Sequence, residues 1–229
     1  MTGSGRSSRV GPRSAQRADP GSRATAGEVS RLFERGGHAL TADQARALEA
    51  YLSLLFRWSS TFNLTGFRGA EAAAEGLLFD ATVVAPLLPE GGAILDVGAG
   101  AGGLAIALRV LRPDLALRLV EARAKRAAFL RAVRRELGLD RFEVIEARAE
   151  ALGRRDADAA YARAVLPPRE WVRLGAALVR PNGLVLCLSA APVDPAIVPG
   201  DAVLVAERRY ALPASGAERV VSALRIEAR

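Results

Sequence analysis

Leu95-Asp96-Val97-Gly98-Ala99-Gly100-Ala101-Gly102-Gly103 continues a short apolar run, Ala93–Val97, into a loop with almost no side chains. A run of strand length that ends in glycines and gives way to an apolar helical pattern reads as strand, turn and helix. In open α/β sheets such a turn lies at the carboxyl end of a central strand, where ligands bind. Glycines there are expected to let a ligand lie against backbone N–H groups. The spacing Gly98-x-Gly100-x-x-Gly103 also fits the dinucleotide pattern, so the loop alone does not name its ligand.

Downstream of the loop, short apolar runs alternate with helical patterns, the signature of a parallel sheet with crossovers. Strands are expected at Ala93–Val97, Leu115–Glu121, Phe142–Ala147, Ala157–Ala162 and Leu184–Leu188. Helices are expected from the glycine loop to Arg112-Pro113, over Ala124–Leu137 and near Pro168–Val179. Pro181-Asn182-Gly183 reads as a turn into the fifth strand. Two late runs, Ala202–Tyr210 and Arg219–Glu227, flank a turn around Pro213–Gly216 and read as an antiparallel pair. Upstream, Thr41 and Gln44 form a capping box before Ala45, Leu48, Leu52 and Leu55 at helical spacing, predicting a helix to about Ser59. A second helix is expected over Ala70–Val84. The fold class that follows is α/β, a doubly wound Rossmann-like sheet of about seven strands with an N-terminal helical part.

Residues 1–27 lack apolar periodicity and read as a disordered basic tail, leaving 28–90 for the helical part and 91–229 for the α/β core. That tail carries five arginines against Asp19, so +4 of the net charge of +7 belongs to it. The surplus favours a polyanionic partner, and arginine suits phosphate, which its planar fork grips with two hydrogen bonds. No apolar run reaches the ~18–20 residues of a membrane span, and no secretory signal opens the sequence. Cys187, the single cysteine, can close no internal disulfide. No metal-ligand spacing is present. The expectation is a cytoplasmic monomer without a metal.

Two acids narrow the ligand. Asp96 stands two residues before the first glycine, where a carboxylate can hold the cationic end of an amino-acid moiety. S-adenosylmethionine has such an end and NAD does not. Glu121 ends the second strand, 23 residues after Gly98, where it can accept both ribose hydroxyls of either cofactor. A dehydrogenase would further want a proton-transfer residue and a substrate domain. The single histidine, His38, lies far upstream and reads as a loop residue.

Several short motifs, in order and spacing over about residues 40–229, resemble the RsmG (GidB) family. They are Asn63-Leu64-Thr65, Phe79-Asp80, the Asp96–Gly102 loop, Arg112-Pro113-Asp114, Lys125-Arg126 with Phe129-Leu130, Ala147-Arg148-Ala149-Glu150, Ala162-Arg163-Ala164-Val165 and Glu218-Arg219. The resemblance implies S-adenosylmethionine-dependent methylation of a guanine N7 in 16S ribosomal RNA, with the small ribosomal subunit as partner. It implies cofactor contacts at Gly98 and Gly103, with Gly100 and Gly102 between them. Ala149 and Glu150 would stand by the adenine, and Arg163 would face cofactor and target base as the catalytic candidate. An arginine at the functional end of a strand is a site candidate on physical grounds too.

The sequence departs from the family pattern at three places. Gly103-Leu104-Ala105 replaces a Pro-Gly pair, Leu77 a histidine and Ser189 a lysine. Guanine N7 carries a lone pair and no proton, so methylation there needs no general base. A pyrimidine C5 reaction would need a thiol, but Cys187 lies in an apolar strand. The acid- or amide-led Pro-Pro-aromatic motif of exocyclic-amine methylation is missing from Arg163-Ala164-Val165-Leu166-Pro167-Pro168. Arg126, Arg131, Arg134 and Arg135 are expected on one helix, able to grip phosphates or to form an ordinary solvated face. A paralogue acting on another RNA or a small molecule, and a non-catalytic RNA-binding relative, remain as alternatives.

Overall fold

The computed structural model describes residues 25–163 and 165–228. Seven strands run β1 (Ala93–Val97), β2 (Ala116–Val120), β3 (Phe142–Ile145), β4 (Ala157–Arg163), β5 (Val179–Ser189), β6 (Ala202–Ala211) and β7 (Glu218–Ile226). They form one sheet in the order β3-β2-β1-β4-β5-β7-β6. The pairings from β3 through β5 are all parallel, whereas β7 is antiparallel to both β5 and β6. The order reverses between β1 and β4, and that switch point opens the crevice in which ligands of such sheets sit.

Alternation along the central strands splits the core. Ile94, Tyr161 and Leu186 join one buried cluster, and Leu95, Ala160, Ala162, Val185 and Cys187 join the other. The first face is covered by α1 (Ala26–Arg35), α2 (Ala42–Ser59), α3 (Ala70–Leu78), α4 (Asp80–Val84), α5 (Gly103–Leu111) and α6 (Ala124–Glu136). The second face receives α7 (Pro168–Leu178), whose Trp171 donates its indole N–H to the Leu186 carbonyl at 2.9 Å. The upstream helices therefore share a core with the sheet. Arg112 fixes them there, donating to the Ala85 and Pro89 carbonyls at 2.8 and 3.0 Å and to Asp114 from Nε and Nη2. That guanidinium, with the Gly91 N–H, holds the Asp114 carboxyl well below the usual carboxylate range.

Four local features depart from the sequence expectations. Helix α1 begins at Ala26, inside the stretch assigned to the tail, with residues 1–24 of that stretch outside the described residues. Thr25 and Glu28 form a capping box, and Val29, Leu32 and Phe33 are buried at helical spacing. The helix expected over 70–84 divides at Phe79, because Thr82 turns both its N–H and its hydroxyl onto the Phe79 carbonyl, at 3.0 and 2.9 Å. Pro181-Asn182-Gly183 lies within β5 rather than before it. Asn182 takes φ 64°, and the register against β4 jumps from Ala157↔Val179 to Ala159↔Leu184, so the turn chemistry becomes a bulge. A smaller bulge interrupts β6 between Leu204 and Ala206.

No helix among the described residues is long and apolar enough to cross a membrane. Cys187 is buried, and burial pushes its thiol up to about 12. Tyr51 on α2 is fully buried and donates to the Ala101 carbonyl at 2.9 Å, clamping the glycine loop to the helical layer. Tyr51→Phe leaves that carbonyl without its donor and is expected to cost about 1–2 kcal/mol. Calorimetric unfolding should show a midpoint lower by roughly 2–8 °C.

Candidate functional site

The glycine turn bends as the sequence suggests, but for a different reason. Gly98, Gly100 and Gly102 all take left-handed φ, at 68°, 62° and 74°, which a residue with a Cβ rarely adopts. The Gly98 and Ala99 N–H groups both donate to the Val120 carbonyl, at 2.8 and 3.1 Å, and the Gly102 N–H donates to Ala99 at 2.8 Å. The Gly100 N–H donates to Glu121 Oε2 at 2.9 Å. These four donors are spent within the protein, so backbone donors to a ligand have to come from Ala101 and the first turn of α5. Close packing is the glycines' work. A Cβ on Gly102 would meet Leu130 Cδ2 at 2.4 Å, one on Gly103 would meet Leu77 Cβ at 2.6 Å, and one on Gly98 would meet Val165 Cγ2 at 2.6 Å. At Gly100 nothing lies nearer than 3.9 Å.

The turn forms one wall of a cleft of about 720 Å³ at the switch point. Every candidate from the sequence lines this cleft: Asp96 and the four glycines at the end of β1, Glu121 after β2, Ala149 and Glu150 after β3, and Arg163 at the end of β4. Sequence reasoning missed Tyr161, which sits beside Asp96 in the β1–β4 register and whose hydroxyl is buried without a hydrogen-bond partner. Its aromatic character and strand position read as plain core. The alternation that places Asp96 in the cleft could have placed Tyr161 there too.

Two carboxylates face this space in different states of support. The Glu121 oxygens each accept one backbone N–H, from Gly100 at 2.9 Å and from Arg123 at 2.8 Å. Each oxygen has a second lone pair, so two further donors, such as the hydroxyls of a ribose, can be accepted. Asp96 is buried and has no cationic partner in contact. Burial pushes its carboxyl up to about 7, against the pull of the Tyr161 hydroxyl and the Arg163 guanidinium, with the Glu121 charge adding to the rise. The Tyr161 hydroxyl lies near enough to moderate that charge without the alignment of a full hydrogen bond. A cation brought against Asp96 would restore its ionisation. The orphaned hydroxyl, the under-supported acid and the two waiting carboxylate oxygens together fit an amino-acid–nucleoside such as S-adenosylmethionine.

Arg163 is held more firmly than an isolated strand-end arginine. Its Nη1 donates to the Gly76 carbonyl at 2.6 Å and to Asp80 Oδ2 at 2.9 Å. Asp80 is fully buried and also accepts from Tyr210 Oη at 2.7 Å and from Arg219 Nη1. Of the arginines on α6, Arg126 lines the cleft and Arg131 pairs with Glu146 at 2.8 Å, while Arg134 and Arg135 are exposed. Lys125 stands over the Phe62 ring at 5.4 Å. His38 packs against Phe79, away from the cleft lining. No group of three or more His, Cys, Asp or Glu residues able to hold a metal ion occurs among the described residues.

This strand order, with Asp96 and Glu121 across a glycine turn, defines the class of Rossmann-like, S-adenosylmethionine-dependent methyltransferases. The chain belongs to the family described as rRNA small subunit methyltransferase G (GidB), which matches residues 44–208. It is 40% identical over 149 residues to the Ribosomal RNA small subunit methyltransferase G of Halorhodospira halophila, covering 65% of this chain and 71% of that protein. It is 32% identical over 195 residues to the protein of the same name from Myxococcus xanthus, covering 81% of this chain and 90% of that one. Among solved structures, TrmN from Thermus thermophilus matches with a TM-score of 0.51 and 23% identity, over 66% of this chain and 48% of that chain. At that identity the likeness speaks for the fold alone.

Gly100→Val would force a branched side chain into a left-handed position and into the open cleft. Calorimetry should find S-adenosylmethionine binding abolished in this variant while the fold is kept. A cationic ligand binds ionised Asp96, so affinity should rise about five- to tenfold from pH 6 to pH 7.5 as a group near 7 loses its proton. Asp96→Asn should bind more weakly, without that rise.

Proposed function

We propose that this protein transfers a methyl group from S-adenosylmethionine to N7 of a guanine in 16S ribosomal RNA of the small subunit. The carrying observation is the cleft at the switch point, which gathers Asp96, Glu121 and Arg163 around one space. Family membership supports the ribosomal substrate, and the sequence resemblance supplies the guanine N7.

S-adenosylmethionine, when bound, supplies an electrophilic methyl group on a sulfonium centre. Asp96 holds the ammonium of its amino-acid end, and the buried Tyr161 hydroxyl offers one further donor in the same corner. Glu121 accepts the ribose hydroxyls with lone pairs that Gly100 and Arg123 leave available. Ala149 and Glu150 flank the nucleoside base. Arg163 meets the target guanine. Asp80 and the Gly76 carbonyl fix Nη1, so the plane of the guanidinium is set before the base arrives. Preorganisation of this kind lowers the barrier without any reorganisation during reaction. N7 attacks through its own lone pair, so these residues need only align two atoms in a dry space. Arg123, Lys125 and Arg126 stand close together at the start of α6, with Arg123 and Arg126 in the cleft wall, a placement suited to phosphates of a folded RNA.

Incubation with unmodified small ribosomal subunits and methyl-labelled S-adenosylmethionine tests this reading. One methyl group per subunit, recovered as N7-methylguanine, is the expected result. Label on another RNA alone would instead support a paralogue, a reading to which Leu77 in the cleft wall lends some chemistry. For Arg163→Ala, single-turnover rates should fall by about a hundredfold or more. The unfolding midpoint should change far less, because Asp80 keeps Arg219 and Tyr210.

A further inference from the structure

Five large apolar side chains stand exposed among the described residues. Val203, Leu204 and Val205 run along the outer strand β6, away from the cleft lining. The other two are Phe67, at 38% exposure, and Val165, at 41%. Val165 follows Arg163 by two residues and lines the cleft against Gly98. Phe67 and Arg163 share a neighbour in Gly76. The Phe67 ring lies so near Gly76 that a Cβ there would meet ring carbons at 2.2 Å. The Gly76 carbonyl in turn accepts from Arg163 Nη1 at 2.6 Å. Gly76 thus touches both the ring and the guanidinium, and Phe67 stands just outside the cleft lining, to which the neighbouring Leu64 and Leu77 belong. The Phe67 backbone is also held in its own loop, where its N–H donates to Thr65 Oγ1 at 3.2 Å.

We propose that Phe67 is the stacking platform for the target nucleobase, an unpaired purine extruded from its RNA strand, with the base edge toward Arg163. This deepens the methyl-transfer reading above and rests on it for the identity of the base. A base within a duplex cannot present N7 to a recessed methyl group, so it has to leave its stack, and an aromatic face replaces the stacking it loses. A ring already packed on Gly76, in a loop tied down at Thr65, gives up little freedom when the base arrives. Val165 supplies a second apolar surface in the cleft lining. Simple cover for Gly76 would be met equally by an aliphatic side chain, and this separates the two roles of the ring.

Three variants decide it: Phe67→Ala, Phe67→Leu and Phe67→Trp. On unmodified small subunits, kcat/KM should fall about tenfold or more in Phe67→Ala and Phe67→Leu and stay within about threefold of the parent in Phe67→Trp. Unfolding midpoints and S-adenosylmethionine affinity should stay close to the parent in all three. A short single-stranded RNA carrying 2-aminopurine, mixed with the protein, should lose fluorescence with the parent and Phe67→Trp but not with Phe67→Leu. Full activity in Phe67→Leu overturns the platform, as does absence of quenching by the parent. Should the parent leave subunits unmethylated, the ribosomal reading fails, and the quenching result still decides the stacking role by itself.

Discussion

One buried carboxylate joins the parts of this molecule that the chain brings from furthest apart. Asp80 has no exposed surface, and a lone charge in that position would be costly. It persists because Arg163 from β4, Arg219 from β7 and Tyr210 from β6 all donate to it. Burial and the Asp80 charge together raise the Tyr210 hydroxyl, which keeps its proton and remains a donor. Removing both arginines from such a cluster would leave the charge unpaired, which typically costs about 3–5 kcal/mol. Nearby, Glu75 accepts the N–H groups of Ala214 and Ser215, so the turn between β6 and β7 is tied to the same helical layer. The orientation of Arg163 is therefore a property of the whole assembly, set from three strands and α4 at once.

The cleft shows how position alone divides the work of two similar side chains. Glu121 is saturated on one side by backbone donors that lock its direction. Asp96 lacks such support and is held in a raised state by burial. The first is a rigid acceptor for neutral hydroxyls, and the second is an acid whose charge is completed by a cationic ligand. A ligand with hydroxyls at one end and an ammonium at the other satisfies both.

Much of the fold was legible because its signals are local. The Ala93–Val97 strand and the Thr41-capped helix to Ser59 have the bounds that alternation and capping chemistry give. Helix α1 was legible in principle, from Thr25, Glu28 and the Val29, Leu32, Phe33 spacing, but the arginine-rich stretch before it masked the signal. The bulge in β5 was not, since Pro-Asn-Gly carries the same local chemistry in a turn and in a bulge, and pairing to β4 decides between them. The candidate site followed the same division. Asp96, Glu121 and the glycines announce themselves by spacing. The partners of Arg163 lie 83 residues away at Asp80 and 87 at Gly76, and no pattern in one sequence joins positions so distant. Tyr161 hid for the opposite reason, as an aromatic in a strand reads as core whether or not its hydroxyl is satisfied.

The sheet order has a consequence for assembly. The chain reaches β6 before β7, yet β7 lies between β5 and β6 in space. β6 pairs with β7 alone, so it joins the sheet only through that strand. The inserted strand also delivers Arg219 to Asp80. Closure of the sheet and alignment of the guanidinium at the cleft thus depend on the same strand, and a chain without β7 in place lacks the finished site for the same reason that it lacks the finished sheet.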